Sequence, residues 1–505
     1  MRLLRQLNSR QLLLGIVIIY FLLRLPSLTL QPIFADEAIY IRWAQIAKAE
    51  ESLRFISLQD GKTPLFMWAM APNLIIFEDP LFAGRFLSVI SGLFTLLGVY
   101  MIGKKSFNLR VGLMAAFLVA ITPFMVFFDR MALVDSMLAA FTIWSIYWGL
   151  TLAQNPTIKI ALILGILLGG GWLTKTPGLV NIVLLPLLLL LFDFKKEKRT
   201  DRLLKFLSFF ALSGTIGLGM YLFQKIDPNF HQLSARNSDY VHPWSRLLQY
   251  PYDPLNVHFL DTINFSFSFL GPLMFLIPLA IIYAINKKNR IIIILLLWSL
   301  IPFIYELQFI KAYTARYILF CLPPLLIVTA WVLENIWQMK KIKMIAPIAF
   351  LMCACWSIYF GTTLLINPAT TPLARAERHG YLEDWTAGYG LKEVANYLIN
   401  QSQNQIIVVG TEGSFGTLPD GLLIYLDRYF HQSETQKIIV MGGKNFVSDT
   451  VRNFSNEKPT FFVANKSRYI VPEPGLVLIK QYPKATGSDL LPDAILFYKV
   501  NPITK

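Results

Sequence analysis

Apolar runs long enough to cross a bilayer recur along the first 366 positions, and nothing else constrains this chain as strongly. A run of 18 or more such residues can span a hydrocarbon core of about 30 Å. Of the 505 residues, 55% are hydrophobic and only 15% are charged. A soluble domain carries about 25% charged residues. The mean hydropathy of +0.51 points the same way: lipid is the main solvent. Near Asn367-Pro368 the pattern changes to mixed polar sequence rich in turn residues. The expected organisation is a membrane domain over residues 1–366 followed by a soluble domain over residues 367–505.

About eleven spans are expected, roughly 11–30, 81–102, 111–128, 134–153, 159–174, 177–193, 203–224, 263–285, 291–309, 316–337 and 342–366. Basic clusters fall between them at alternate joints. Arg2, Arg5 and Arg10 precede the first span; Lys104, Lys105 and Arg110 follow the second. Lys195, Lys196, Lys198, Arg199, Arg202 and Lys205 follow the sixth. Lys287, Lys288 and Arg290 follow the eighth, and Lys340, Lys341 and Lys343 the tenth. With alternating spans all of these share one side, which the positive-inside rule makes cytoplasmic. The long loops at about 31–80 and 225–262, and the tail, then lie outside. The net charge of +15 is accounted for by these joints, so nucleic-acid binding does not follow from it.

Cys321, Cys353 and Cys355 all lie in apolar spans, so neither a disulfide framework nor a metal-ligand spacing appears. The N-terminal apolar stretch from Leu12 to Leu23 continues past Arg24 to Leu30 without a small-residue cleavage site, and reads as an uncleaved helix rather than a signal peptide.

In the first outer loop Ile39, Trp43, Ile46 and Ala47 share a helical face, which predicts an amphipathic helix along the membrane interface. Trp68, Trp244, Tyr250 and Tyr252 suit the aromatic belt there. The tail reads as α/β, with helices at 391–400 and 422–430 and strands at 406–409, 438–441, 460–463, 476–479 and 495–500. The segment Gly410-Thr411-Glu412-Gly413-Ser414-Phe415-Gly416 follows a strand, but it matches no phosphate-loop pattern and reads as an ordinary loop.

The candidate chemistry gathers at the outer edge. Asp36 and Glu37 follow the first span, and adjacent acids at a membrane edge are costly unless exposed or used. A solvated pair and a catalytic base both fit. Asp129, Arg130 and Asp135 stand at the turn between the third and fourth spans. There Asp135 is placed to start a helix, or to join Asp36 as a sugar-orienting group. Arg24, Lys62, Arg85, Lys175, Lys311 and Arg316 are basic residues on the face where the positive-inside rule disfavours them. They suit either headgroup snorkelling or a phosphate leaving group. His242, in His242-Pro243-Trp244, is a candidate substrate contact or a surface histidine. Paired acids are also of the type that holds a divalent metal (Mg, Mn or Zn), here through Asp36 and Asp135, although no dedicated ligand set is present.

Taken in order, several segments resemble the glycosyltransferases of families 39 and 83, of the GT-C superfamily, which include protein O-mannosyltransferases and aminoarabinose transferases. They are Phe34-Ala35-Asp36-Glu37-Ala38-Ile39-Tyr40, Gly61-Lys62-Thr63-Pro64-Leu65-Phe66-Met67-Trp68, Ala83-Gly84-Arg85-Phe86-Leu87-Ser88, Asp129-Arg130 through Asp135, Thr174-Lys175-Thr176-Pro177-Gly178 and Ala315-Arg316-Tyr317-Ile318-Leu319. The resemblance implies a polytopic α-helical GT-C fold with its active site in the first outer loop, and a small extracytoplasmic α/β domain. It places the family's acidic pair on Asp36-Glu37, its lysine on Lys62, its second acid on Asp135 beside Arg130, and its arginine-tyrosine on Arg316-Tyr317. Asp36 would then be the base or its helper, with Lys62 and Arg316 holding a lipid phosphate. Where many relatives have a second proline after the lysine, this chain has Thr63. The segment Tyr381-Leu382-Glu383-Asp384-Trp385-Thr386-Ala387-Gly388-Tyr389-Gly390 resembles bacterial members, which implies a bacterial cell membrane.

The implied reaction is transfer of a sugar from a polyprenyl-phosphate donor, with inversion, to a lipid, glycan or protein acceptor. Arg85, Lys175 and Arg24 are further candidates for the phosphate, and Asp129, Arg130, Tyr317 and His242 for orienting substrate. The alternative is a transporter or flippase of a polyprenyl-linked lipid or sugar. Such proteins place charges or broken helices at mid-membrane, whereas the mid-span positions here read as almost wholly apolar.

Overall fold

The computed structural model describes residues 8–432, 437–469, 473–487 and 492–502. Arg2 and Arg5 of the first basic cluster lie outside the described residues. The chain forms two compact units. One comprises Met1–Pro26, Arg54–Phe66 and Arg85–Thr362; the other comprises Ser27–Leu53, Met67–Gly84 and Thr363–Lys505.

The first unit is helical. Among the described residues six helices are long and apolar enough to cross a membrane: Pro80–Ser106, Val134–Gln154, Arg199–Ile226, Arg290–Phe309, Ala315–Gln338 and Ile345–Ile366. Ala315–Gln338 is 83% buried, whereas Arg199–Ile226 is 22% buried and keeps Leu204, Leu207 and Leu218 on its surface. A soluble fold would hide such residues; a lipid-facing one need not. Polar caps fix several starts. Asn8 accepts from the Gln11 amide in a capping box, and Asn108, Thr157 and Asn289 cap Leu109–Ile121, Ile158–Thr174 and Arg290–Phe309.

Three expected spans are irregular. Leu109–Ile121 and Pro123–Asp129 meet at 59°, because Pro123 starts a new helix after the extended Thr122. Leu255–Leu270 and Leu273–Ile285 meet at 112°, so the expected span 263–285 is not one straight helix. Its break is Gly271, at φ +52°, followed by Pro272; a Cβ at Gly271 would stand 2.3 Å from the Trp356 ring. The expected span 177–193 is a short α-turn, Val180–Val183, between two 3₁₀ segments, with Pro177 and Pro186 interrupting the ladder. Buried polar groups tie helices together: the Asn181 side chain donates to Thr142 Oγ1 at 3.0 Å and accepts from the Trp298 indole at 2.8 Å.

The second unit is α/β. Its five-stranded sheet has the order β4-β3-β5-β7-β6, with β3 Ile407–Thr411, β4 Ile438–Gly442, β5 Thr460–Asn465, β6 Leu476–Pro483 and β7 Ala494–Val500. β3 runs parallel to β4 and β5, while β7 is antiparallel to β5 and β6. Each strand expected from the alternation is present, as are helices Leu391–Gln401 and Asp420–Gln432. The unit also holds pieces of the first outer loop, so its limit does not run at residue 366 alone. β1 (Ile33–Phe34) pairs antiparallel with β2 (Ala387–Gly388). Helix Ala35–Ala49 then packs on Asp420–Gln432, with Arg42 on Asp427 at 2.7 Å and the Gln45 amide on the Ile424 carbonyl at 2.9 Å. Ile39, Trp43 and Ala47 are therefore buried in protein, and the expected interfacial helix is a core helix. In the loop after β3 the Gly416 amide donates to Asp420 at 2.8 Å, so that group is not offered to a phosphate.

Close packing in the helical unit gives a direct test. A Cβ at Gly178 would stand 2.3 Å from the Gly171 carbonyl carbon and oxygen, whereas one at Gly219 meets nothing within 4 Å. Gly178→Ala is expected to lower thermal stability, overpacking costing about 1–3 kcal/mol. Gly219→Ala is expected to leave it unchanged or raise it by up to about 1 kcal/mol. Thermal unfolding of the detergent-purified variants measures both.

Candidate active site

Charge inside an apolar bundle must be closed by partners, and the first unit closes it in two clusters. The first is built on Arg24, in the last turn of Ser9–Arg24, and Asp129, at the end of Pro123–Asp129; both side chains are fully buried. Arg24 Nε donates to Asp129 Oδ2 at 2.9 Å, and its Nη1 donates to the Ala120 carbonyl at 2.8 Å. Ser136 Oγ donates to Asp129 Oδ1 at 2.8 Å, and the Arg24 guanidinium lies 3.8 Å from the Tyr20 ring centroid. Arg130 turns back to donate to the Arg24 and Pro26 carbonyls at 2.6 and 2.9 Å. Arg85 is also fully buried and within electrostatic reach of Arg130. Space for this cluster comes from Gly92, where a Cβ would stand 2.3 Å from Asp129 Oδ2 and 2.4 Å from the Tyr20 hydroxyl.

The second cluster is mixed in charge. Asp135 lies in the first turn of Val134–Gln154, where the helix dipole favours an acid. Its Oδ1 accepts from Lys175 Nζ at 2.7 Å, and its Oδ2 is buried without a hydrogen-bond partner. Lys175 follows the end of Ile158–Thr174, with Nζ 4.2 Å from the Tyr317 ring centroid. Half-buried Arg316 lies 5.5 Å from the same ring. Glu306, 2% exposed in the last turn of Arg290–Phe309, lies within electrostatic reach of Lys175 and Asp135.

Lys62 lies in a separate loop, held on helix Gln232–Tyr240. Asp60 is its anchor: Arg236 reaches Asp60 Oδ1 at 2.7 Å and Lys62 lies 3.4 Å from Oδ2. Between them Gly61 sits at φ +60°, and the Gln232 carbonyl occupies the place of a Cβ, 2.5 Å away, so glycine is required. His242 is tied by its amide to the Phe309 carbonyl at 2.6 Å, one turn beyond Glu306. Burial, with Arg246 and Lys311 nearby, holds its imidazole below the usual histidine range.

Asp36 and Glu37 belong to the other unit, in the first turn of Ala35–Ala49. The two acids differ. Glu37 is fully buried and accepts from the Phe34 amide at 2.9 Å, which fixes the helix start; Asp36 is half-exposed. A divalent cation takes several oxygen ligands at once. Among the described residues no three His, Cys, Asp or Glu side chains group as metal ligands, and Asp135 already gives one oxygen to Lys175.

Sequence reasoning passed over Glu306 and Arg236. Glu306 carried a signal, being an acid inside an apolar run. Arg236 carried none, since only the fold brings it to Asp60.

The sequence pattern of the dolichyl-phosphate-mannose-protein mannosyltransferase family matches residues 61–220. No curated protein matches the chain by sequence. Among solved structures, ArnT from Cupriavidus metallidurans in the apo state is similar at TM-score 0.59 and 15% identity, over 97% of each chain. The same protein bound to undecaprenyl phosphate gives 0.57 and 14%, over 96% of this chain and 97% of that one. The archaeal oligosaccharyltransferase AglB from Archaeoglobus fulgidus, in complex with an inhibitory peptide and a dolichol-phosphate, gives 0.53 and 12%, over 90% of this chain and 69% of that one. The chain is thus a multi-pass membrane protein with the GT-C fold, with an added α/β unit.

The closed Arg24–Asp129 pair predicts a non-additive stability cycle. Arg24→Leu or Asp129→Leu alone is expected to cost on the order of 3–5 kcal/mol by stranding a buried charge. The double variant is expected to recover much of that loss. Thermal unfolding of all four proteins checks it; additive losses would mean that the pair is not coupled.

Proposed function

We propose that the protein is a glycosyltransferase that moves a sugar from a polyprenyl-phosphate donor to an acceptor at the outer face of the membrane. The observation that carries this reading is the mixed-charge cluster Asp135–Lys175–Tyr317 with Glu306, at the ends of apolar helices in a GT-C fold. A fold-mate bound to undecaprenyl phosphate supports the donor class, and the family pattern over residues 61–220 supports glycosyl transfer. Alternating basic joints support the outward orientation.

In this mechanism Asp36 is the base. Glu37 is fully buried against the Phe34 amide, and Asp36 is the carboxylate of the pair that reaches the surface. It takes the proton of the acceptor hydroxyl as that oxygen attacks the anomeric carbon from the face opposite the phosphate. The bond from that carbon to the phosphate oxygen breaks, and its electron pair leaves with the lipid phosphate. Lys62 and Arg316 neutralise the growing charge, with Arg236 beside Lys62 on Asp60. Lys175 holds Asp135 in one orientation, which suits it to receive sugar hydroxyls through its second oxygen. Arg24, Asp129 and Arg130 hold helix ends in register, with Arg85 buried nearby.

The test is sugar transfer from radiolabelled polyprenyl-phosphate sugars by the purified protein, with a membrane extract as acceptor source. Asp36→Asn is expected to lower kcat by about 10²–10⁴-fold while donor binding persists. Lys62→Gln is expected to raise the KM for donor. A chelator arm reads metal dependence. Wild-type transfer by Asp36→Asn would remove the base assignment; donor binding without any transfer would turn the reading to lipid transport.

A further inference from the structure

The proposed mechanism leaves Glu306 without a task, and stability does not account for it. It is 2% exposed in the last turn of Arg290–Phe309, and among the described residues its carboxyl makes no hydrogen bond. A carboxylate buried in that way costs stability. The helix end that carries it is nonetheless fixed. His258 Nδ1 lies 2.9 Å from the Leu307 carbonyl, the Lys311 amide donates to the Tyr240 carbonyl at 2.9 Å, and Val241 bridges to Ile310.

The charges around Glu306 are in balance. Its charged neighbours are Lys175 and Asp135. Lys175 pairs with Asp135 at 2.7 Å and is within electrostatic reach of Arg316, with which it shares the Tyr317 ring at 4.2 and 5.5 Å. Two cations thus face two acids. The Lys62 loop differs: there Arg236 and Lys62 both close on Asp60, two cations on one acid. Transfer changes the charge of the ligand that such cations hold. In the donor the phosphate is a diester with a single negative charge. Breaking its bond to the anomeric carbon leaves the electron pair on the phosphate oxygen, and the resulting monoester carries close to two charges. Cations that bind the donor therefore bind the product more tightly. An acid fixed beside them opposes that.

We propose that Glu306 tunes product release: its negative charge beside Lys175 and Arg316 weakens the site's hold on the polyprenyl phosphate left after transfer. The inference rests on the transfer reaction proposed above. Glu306 acts through the charges of its neighbours, as a positioning residue and not a catalytic one. The Coulomb energy scales with the charge of the ligand, so its effect on the monoester exceeds its effect on the donor.

The probe is undecaprenyl phosphate, titrated into the full-length purified protein in detergent at about pH 8, where the monoester is close to doubly charged. Undecaprenyl-phosphate mannose is the singly charged comparison and undecaprenol the uncharged one. Glu306→Gln is expected to bind undecaprenyl phosphate about tenfold more tightly. It is expected to tighten on undecaprenyl-phosphate mannose by a smaller factor and to bind undecaprenol as wild type does. Glu306→Asp, which keeps the charge, is expected to match wild type. In steady-state transfer Glu306→Gln is expected to lower kcat and KM together, with stronger inhibition by added undecaprenyl phosphate. Its thermal unfolding is expected at the wild-type temperature or above, because a buried charge is removed. Unchanged or weaker binding of undecaprenyl phosphate by Glu306→Gln overturns the proposal. Equal tightening on undecaprenol overturns it too, because the effect is then not one of charge. Transfer by wild type, with undecaprenyl phosphate affinity indifferent to Glu306, removes this inference alone and leaves the reaction standing. Tighter binding by Glu306→Gln, with no transfer by wild type from any polyprenyl-phosphate sugar, removes the reaction and leaves Glu306 as the charge that sets lipid-phosphate affinity.

Discussion

A charge taken out of water without a partner costs several kcal/mol, and the helical unit is arranged around avoiding that cost. Arg24 and Asp129 are both fully dehydrated, and they come from helices far apart in sequence. Their contact requires Gly92, Ser136 and the carbonyls of Ala120 and Val119 to stand in one register. Apolar side chains would allow these helices to slide past one another; a buried ion pair with five further hydrogen bonds does not. The pair is best understood as a setting device, and it is tied to the neighbouring Asp135–Lys175 pair through Ser136, next to Asp135 in Val134–Gln154.

Both pairs lie where helices stop. Asp129 ends a short helix begun by Pro123, Asp135 begins the next, and Lys175 follows a helix end in extended backbone. Backbone that leaves the α-helix frees side chains to converge from several directions, and membrane proteins tolerate it only inside protein or beside a cavity. The irregular segment Thr176–Leu191 and the kinked helices are therefore of a piece with the convergence of these charges.

Much of this was legible in the sequence. Apolar length gave the helices and β-alternation gave all five strands of the tail, because both signals are local. The candidate residues were legible by type and by order: Asp129, Asp135, Lys175 and Tyr317 do meet in two clusters. What was hidden was pairing. Nothing local says that Arg24 closes on Asp129, that Glu37 caps its own helix, or that Arg236 joins Lys62 on Asp60. Helix Ala35–Ala49 was misjudged for the same reason. An apolar stripe shows that a face is covered and does not say by what; here the cover is Asp420–Gln432.

That cover has a consequence for how the molecule is made. Arg42 and Asp427 are separated by 385 residues, and strand β1 finds its partner β2 only after most of the helices have been synthesised. The segment bearing Asp36 leaves the ribosome early and has nowhere to dock until the tail is complete. The native packing of this helix is thus among the last contacts that translation makes possible. A chain that stops before Asp420 leaves the apolar face of Ala35–Ala49 without the helix that covers it.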